Sequence, residues 1–419
     1  MKKYIIILII TSAVSKASAQ HISIGSDLRS RFENRHGYGT LIADTMQAAN
    51  FVTQRNRIVI DYVSQKIKIR VSPQNVKVWG DVTSTSKNDL YLGFHEAYGQ
   101  AILNEHFSFK IGRQEINYDD ARIFGNVDWS MQARSHDAFI FKMNPDSNNT
   151  LHIGLALNAN KETNFYDNYV LQQYKTMQYF WYHGNYNHVG LSFLALNNGM
   201  AYIRNSKEKI AFSQTIGPRI NFKNKIIKLD ASSYLQIGRI GLNNVNAFYF
   251  SANAYLQIVK TFNTSVGFEY LSGKANNDSS STIKSFNPLY GTNHKFNGYM
   301  DYFYVGNHTN SVGLTDIYAN FHFEKNKISL KFSPHYFASA ANIYKGTLKQ
   351  NNFLGTELDC TFGYQLMENV KLDVGYSQIF ASSSMETLKG GNKLNMNNWV
   401  YVSISLNPKL LSIKNEIKK

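Results

Sequence analysis

Arginine is the residue whose placement most suggests chemistry. Nine of the twelve arginines fall before position 135, as Arg29, Arg31, Arg35, Arg55, Arg57, Arg70, Arg113, Arg122 and Arg134. Guanidinium keeps its charge at any physiological pH and grips a carboxylate through two parallel donors. Set side by side on adjacent strands, Arg29 with Arg31 and Arg55 with Arg57 would make cationic rungs, a track for a polyanion. Asp27, Glu33 and Asp61 share their parity, so the same rungs also read as ion-pair ladders bracing a wall. A second concentration of charge runs from Tyr118 to Asp137, beside Arg113 and Glu115, and holds Asp119, Asp120, Arg122, Asp128, Arg134 and Asp137. That stretch is too long and too polar for a hairpin turn. Its mixed charges suit either a constriction folded into a pore or an outward surface loop.

Covalent chemistry has little to stand on. There is no G-x-S-x-G elbow, H-E-x-x-H helix or phosphate-binding loop, and the twelve histidines show no metal-ligand spacing. No cofactor or metal is expected. A barrel enzyme acting on lipid or polymer, or a structural or adhesive barrel, remains the rival to a channel. The aromatic segment Phe286–His308, with His294, Lys295 and Asp301, suits sugar stacking or a self-packed external cap.

The elements that must position these residues are strands. About eighteen strand-like segments begin near Ile22, Phe51, Lys66, Asp89, His106, Ser135, Asn149, Lys175, His188, Lys209, Lys225, Val245, Thr261, Ser311, Asn326, Asn352, Asn369 and Met396. Period two is the rule. In the first, Ile22, Ile24, Leu28 and Phe32 oppose Ser23, Asp27, Arg29, Arg31 and Glu33. In the second, Val52, Ile58, Ile60 and Tyr62 oppose Thr53, Arg55, Arg57 and Asp61. Connections after even-numbered segments are short and polar, and those after odd-numbered ones are mostly long. The spacing predicts an all-β fold, a single transmembrane up-and-down antiparallel barrel with short periplasmic turns and long extracellular loops. Hydrocarbon forces that closure, because every backbone polar group inside it must be paired and an open sheet leaves two edges. Pro73 interrupts the third segment, where the alternation changes phase, and a bulge is expected there. Aromatic runs such as Tyr179–Tyr182 and Phe248–Phe250 suit either interface girdles or stacking inside.

The first nineteen residues carry Lys2 and Lys3, an apolar run from Tyr4 to Ile10, and Ala17-Ser18-Ala19 before Gln20, the pattern of a cleavable secretory signal. The run is far shorter than the ~20 residues of a spanning helix. Residues 20–411 then form one barrel domain, with a charged tail over 412–419. Cys360, the lone cysteine, excludes a disulfide framework. Loss of Lys2, Lys3 and Lys16 with the leader takes the net charge from +15 to +12. That excess favours anionic partners, and for an exported chain nucleic acid is not among them.

The words QRNRIVIDY (Gln54–Tyr62), QNVKVWGD (Gln74–Asp81), HEAY (His95–Tyr98), IGRQEINYDDARIFGNVDWSMQARSHDA (Ile111–Ala138) and PLYGTNHKFNGYMDYF (Pro288–Phe303) resemble the alginate export family of outer-membrane porins. The similarity covers most of the mature chain and is densest between Gln54 and Ala138. The Ala19-Gln20 junction suggests a Bacteroidota-type member. The resemblance implies a monomeric, eighteen-stranded barrel in the outer membrane, placed in lipid by the barrel-assembly machinery. Its electropositive lumen would pass an acidic polysaccharide or a smaller organic anion without covalent chemistry. By motif position, Arg55 and Arg57, Arg113 and Glu115, Asp119 and Asp120, and Arg122, Arg134 and Asp137 would line the pathway or frame it. Arg29 and Arg31 join them on parity alone.

Overall fold

The computed structural model describes residues 20–86, 92–169, 173–303 and 311–415. The expected leader, the predicted start of the fourth strand near Asp89, the end of the aromatic segment beyond Phe303 and the last four residues lie outside the described residues. Eighteen antiparallel strands form one sheet that closes on itself. The first nine are β1 Gln20–His36, β2 Ala49–Val63, β3 Ile67–Val78, β4 Leu92–Ile102, β5 Phe107–Gln114, β6 His136–Met143, β7 Asn149–Leu157, β8 Thr176–Tyr186 and β9 Val189–Arg204. They continue as β10 Lys207–Lys223, β11 Ile227–Ile240, β12 Asn243–Val259, β13 Phe262–Leu271, β14 Leu314–Lys325, β15 Ile328–Ala338, β16 Phe353–Met367, β17 Val370–Ala381 and β18 Asn397–Leu406. Each strand pairs with its neighbours in sequence, so the topology is the expected meander.

The seam lies between the two ends of the chain. β18 pairs with the second half of β1, Leu28 opposite Leu406 and Phe32 opposite Val402. After an interruption at Asn407-Pro408, Lys409–Asn415 resumes the same strand and pairs with the start of β1, Gln20 opposite Asn415. The predicted boundary of a charged tail at residue 412 is thus corrected, because Ser412, Ile413 and Lys414 carry ladder hydrogen bonds that the start of β1 would otherwise lack. Pro408 cannot donate, and its carbonyl instead accepts from Ser26 N at 3.1 Å.

Turns after even-numbered strands are tight and most of those after odd-numbered strands are long, as the spacing predicts. The exceptions on the long-loop side are Asn205-Ser206 and Gly241-Leu242, which close the β9–β10 and β11–β12 hairpins. The bulge expected at Pro73 is present. Ser72 faces Glu96 while Pro73 faces Phe94, leaving His95 as the extra residue on β4.

Alternation decides what meets lipid. Ile58, Ile60, Ile153, Leu155, Leu330, Phe332, Val402 and Ile404 are exposed on the outside, while Arg55, Arg57, Ala156, Ser333 and Ser403 of the same strands are buried within. The aromatic runs split by the same rule. Phe248 and Phe250 face out and Tyr249 is wholly buried. Phe180 packs on Phe193 outside, whereas Tyr179 and Trp181 turn inward to meet a loop. Inside, tyrosines lie over glycines of the adjacent strand. A Cβ on Gly154 would sit 2.0 Å from the Tyr179 ring, and one on Gly375 1.9 Å from Tyr401. The missing side chains leave room for rings that fill the bore. A short helix, α1 Ser383–Lys389, tops the β17–β18 loop, with Ser382 accepting from Met385 N at 3.2 Å.

Candidate functional site: two loops folded into the bore

The β5–β6 connection, residues 115–135, turns into the lumen rather than outward. It meets there a second inward loop, between β13 and β14. Gly125 N donates to Tyr290 O at 2.9 Å and Thr292 N to Ala121 O at 2.8 Å, on either side of a parallel bridge between Phe124 and Tyr290. Arg134 Nη1 donates to Gly291 O at 3.0 Å and Lys295 Nζ to Asp120 O at 2.6 Å. Glycine is required at the contact, since a Cβ on Gly291 would lie 2.1 Å from Arg122 O. The first loop is also strained. Asp119, Ala121, Val127 and Ala133 all have φ between 53° and 71°. Such a conformation costs on the order of 1 kcal/mol per residue and persists only where surrounding contacts over-determine it.

Those contacts are three anchors to the wall. At the first, Asp119 accepts from Ser192 Oγ at 2.6 Å and Trp181 Nε1 at 3.1 Å. Tyr118 lies parallel to Trp181 at 4.4 Å and shares its hydroxyl with His152 Nδ1 (2.9 Å) and Tyr179 (3.0 Å). Burial raises the Asp119 carboxyl above its ordinary pKa despite its two donors. At the second, Arg122 is buried against Glu269 of β13 at 2.9 Å and also donates to Asn297 Oδ1 at 2.9 Å. At the third, Asp128 receives Arg55 Nη1 at 2.9 Å and Arg29 Nη2 at 3.1 Å, and its carbonyl takes Arg29 Nη1 at 2.8 Å. Burial alone would raise the Asp128 carboxyl, but the two guanidiniums outweigh it and hold the pKa below the usual range.

The rungs on β1 and β2 are therefore real and mostly paired. Arg29 stands opposite Arg55, and Asp27 opposite Arg57. Arg55 is fully buried between Asp27 and Asp128, and Arg57 donates to Gln74 Oε1 at 2.8 and 3.1 Å. Arg31 binds Glu33 at 2.9 Å and Trp129 O at 2.8 Å, while Glu33 also takes Arg35 and the Trp399 indole. Glu115 accepts from His95 Nε2 at 2.8 Å and Asn126 Nδ2 at 3.1 Å. Of the predicted residues, Arg29, Arg31, Arg55, Arg57, Glu115, Asp119, Asp120, Arg122 and Arg134 come together in or around the two loops. Arg113 and Asp137 do not. They pair with each other at 2.7 and 3.0 Å on the outer face, in the parity of exposed Ile111, so their place in the lined pathway is corrected to the rim.

Sequence reasoning expects arginine and lysine in the lumen but names no lysine among the pathway residues. Lys68, Lys110 and Lys142 share the inward parity of Ser72, Ser108 and Ala138, and Lys228 and Lys331 face in from the opposite wall. Among the described residues none of these five has a carboxylate within 4 Å. Lys110 lies 3.7 Å over the Tyr98 ring, and Lys331 Nζ donates to the Tyr299 hydroxyl at 2.5 Å. The signal was available in the alternation of Phe109, Lys110 and Ile111. Below the two loops, toward the short turns, opens a cavity of about 820 Å³. Arg219, Lys228, Lys295 and Lys331 line it against Asp120, Asp230 and Glu269. Burial lowers the Lys295 ammonium, and Asp120 only partly offsets this.

Comparison with known proteins agrees with this architecture. Crystal structures of Acinetobacter baumannii OccAB1 (TM-score 0.64, 10% identity, covering 94% of this chain and 97% of that one) and Pseudomonas aeruginosa OpdL (0.63, 11%, 93% and 99%) share the fold. So does Pseudomonas aeruginosa OpdO, at TM-score 0.62, 11% identity, 93% and 98%. No curated protein matches in sequence. Residues 20–390 match the family described as alginate export. An eighteen-stranded barrel with a lipid-facing apolar belt, a polar bore narrowed by inward loops and that match over most of its length make this chain a member of the alginate export family, an outer-membrane channel of the porin kind.

Proposed function

We propose that the channel is passive and prefers anions, its cargo being an acidic saccharide or a small organic anion. The observation that carries this reading is the set of five inward lysines without carboxylate partners. The arginines have a different part, since those of β1 and β2 are committed to Asp27, Glu33 and Asp128 and hold the constricting loop in place. Five ammonium groups on two sides of the bore, none with a carboxylate partner among the described residues, replace the hydration and counterions that a permeating anion sheds. At about 5 Å each contributes roughly 1–3 kcal/mol, for an effective dielectric between that of water and that of a protein surface. Asp230, Glu269 and Asp373 nearby keep the hold weak enough for release. No step in this passage needs a catalytic group or a cofactor. In the cell the barrel is proposed to reach the outer membrane through cleavage before Gln20, to be inserted by the assembly machinery and to act as a monomer.

The test is the reversal potential of the purified barrel in planar bilayers under a salt gradient. Wild type is expected on the anion side, and the Lys68→Glu, Lys110→Glu, Lys142→Glu variant is expected to move toward cation preference. An unchanged reversal potential in that triple variant refutes the reading.

A further inference from the structure

The lumen holds a string of cavities, and two of them share a wall. One, of about 300 Å³, lies toward the long loops among Arg31, Arg35, Tyr38 and Asp301. The other, of about 360 Å³, lies toward the short turns among Lys295, Tyr299, Lys331 and Lys371. Trp129 and His294 line both. The second cavity in turn shares Lys295, Tyr299, His322 and Lys331 with the 820 Å³ chamber below. The three cavities therefore adjoin in a row beside β1, β17 and β18, and one pair of rings stands between the first two.

We propose that Trp129 and His294 form the gate of the channel, through which a permeating anion passes from the long-loop side, where Arg31 and Arg35 share the single carboxylate of Glu33, to Lys295 and Lys331 on the other. The proposal rests on the channel reading above and adds the place and the residues at which the passage is closed. The rings lie parallel, with centroids 4.3 Å apart at 12°. Each comes from a different inward loop, so displacing either loop parts them. Among the described residues no hydrogen bond joins the two rings themselves, although the loops that carry them are bonded nearby through Thr292 to Ala121 and Lys295 to Asp120.

What holds each ring from behind is firmer. Trp129 is covered by the Arg31 guanidinium at 4.1 Å and met edge-on by Tyr401 at 4.9 Å and Trp399 at 5.7 Å. His294 Nδ1 lies 3.2 Å from Asp301, which also takes the Tyr38 hydroxyl, and its ring continues onto Tyr299 at 5.0 Å. The ring-to-ring contact is where a gate must open, since what stands behind each ring is tied to that residue by a hydrogen bond, Arg31 to Trp129 O and Asp301 to His294 Nδ1. Cationic groups stand on both sides of it, so a negatively charged solute finds a partner before and after the crossing.

The experiment uses the full barrel in planar bilayers with Cys360→Ser, which removes the lone native thiol. Trp129→Ala is expected to raise single-channel conductance at least twofold. In the Cys360→Ser background, His294→Cys is expected to lose more than half its conductance when a trimethylammonium-ethyl methanethiosulfonate reagent is added from either compartment. Wild-type conductance in Trp129→Ala, or modification of His294→Cys confirmed by mass with conductance unchanged, overturns the proposal. Should Trp129→Ala not assemble, the cysteine variant alone decides. A block by the thiol reagent in a channel without anion preference would sink the selectivity reading and leave the gate standing.

Discussion

Arg122 offers the sharpest test of how the constricting loop is held. Its guanidinium is 1% exposed and Glu269 beside it 3%, so Arg122→Met strands a buried carboxylate. Breaking a buried pair from one side typically costs about 3–5 kcal/mol. Two features place this case at the lower end. Glu269 keeps neutral donors from Tyr249 at 3.0 Å and Asn297 at 2.9 Å, and Arg122 Nε is already without a partner in the native loop. About 3 kcal/mol is about two powers of ten in the population of the docked loop. The anchors at Asp119 and Asp128 remain, so the barrel still assembles, but the loop fluctuates and single-channel noise rises. Urea unfolding of the barrel in lipid gives the stability half of the measurement. The decisive variant is Arg122→Met with Glu269→Gln. Once the carboxylate is gone nothing charged is left uncompensated, so the double variant is expected to be more stable than Arg122→Met alone. If the two substitutions simply add, or if Arg122→Met is silent in both noise and unfolding, the account of this anchor is wrong.

Acid provides a second test. Because the Asp128 carboxyl is held below its ordinary pKa, its contribution is complete above the usual carboxylate range and is lost as pH falls through the depressed value, below about 4. Asp119, raised by burial, has the opposite sign and does not release its end of the loop in acid. Channel noise should therefore stay at its neutral-pH level down to about pH 4, and Asp128→Asn should show raised noise at neutral pH; noise in wild type that already rises well above about pH 4, or a silent Asp128→Asn, would exclude Asp128 as the acid-sensitive anchor. A third test addresses orientation. Cys360 is exposed between Phe332 and Tyr376 on the outer wall, so a fluorophore attached there should be quenched by lipids brominated in their acyl chains and not by aqueous iodide. Iodide quenching at full strength would mean the strand parity is inverted.

The fold was legible because lipid on one side and water on the other impose period two on every strand. Ile58 and Ile60 outside, with Arg55 and Arg57 inside, follow from that rule alone. Pro73 announced its bulge for an equally local reason, the missing donor. The candidate site was legible in part. That the Tyr118–Asp137 stretch turns inward could be expected from its length and charge, but its partners are wall residues far away in sequence, and no periodicity relates Asp128 to Arg29 and Arg55, or Arg122 to Glu269. Arg113 and Asp137 were misplaced by membership in a motif, although their parity with Ile111 and Phe139 already set them on the outer face. The lysines were hidden differently. Lysines scattered over several strands make no cluster in the sequence, and only the register of β3 to β6, with Lys68 and Lys110 both opposite Gln100, gathers Lys68, Lys110 and Lys142 into one curve.

The seam between β1 and β18 bears on how such a chain can be made. Gln20 stands opposite Asn415 and Arg35 opposite Trp399, and the pairs of this seam are the most distant along the polypeptide of any in the sheet. Joining them carries the largest loop-closure entropy of any contact in the molecule and cannot precede delivery of the final residues. Until then both terminal strands present open rows of donors and acceptors, each a template for pairing with another chain. Zipping up the cylinder must therefore follow synthesis of these last strands, and Lys409–Asn415 is the stretch whose removal should leave Gln20–Gly25 unfastened while β18 still closes on Leu28–His36.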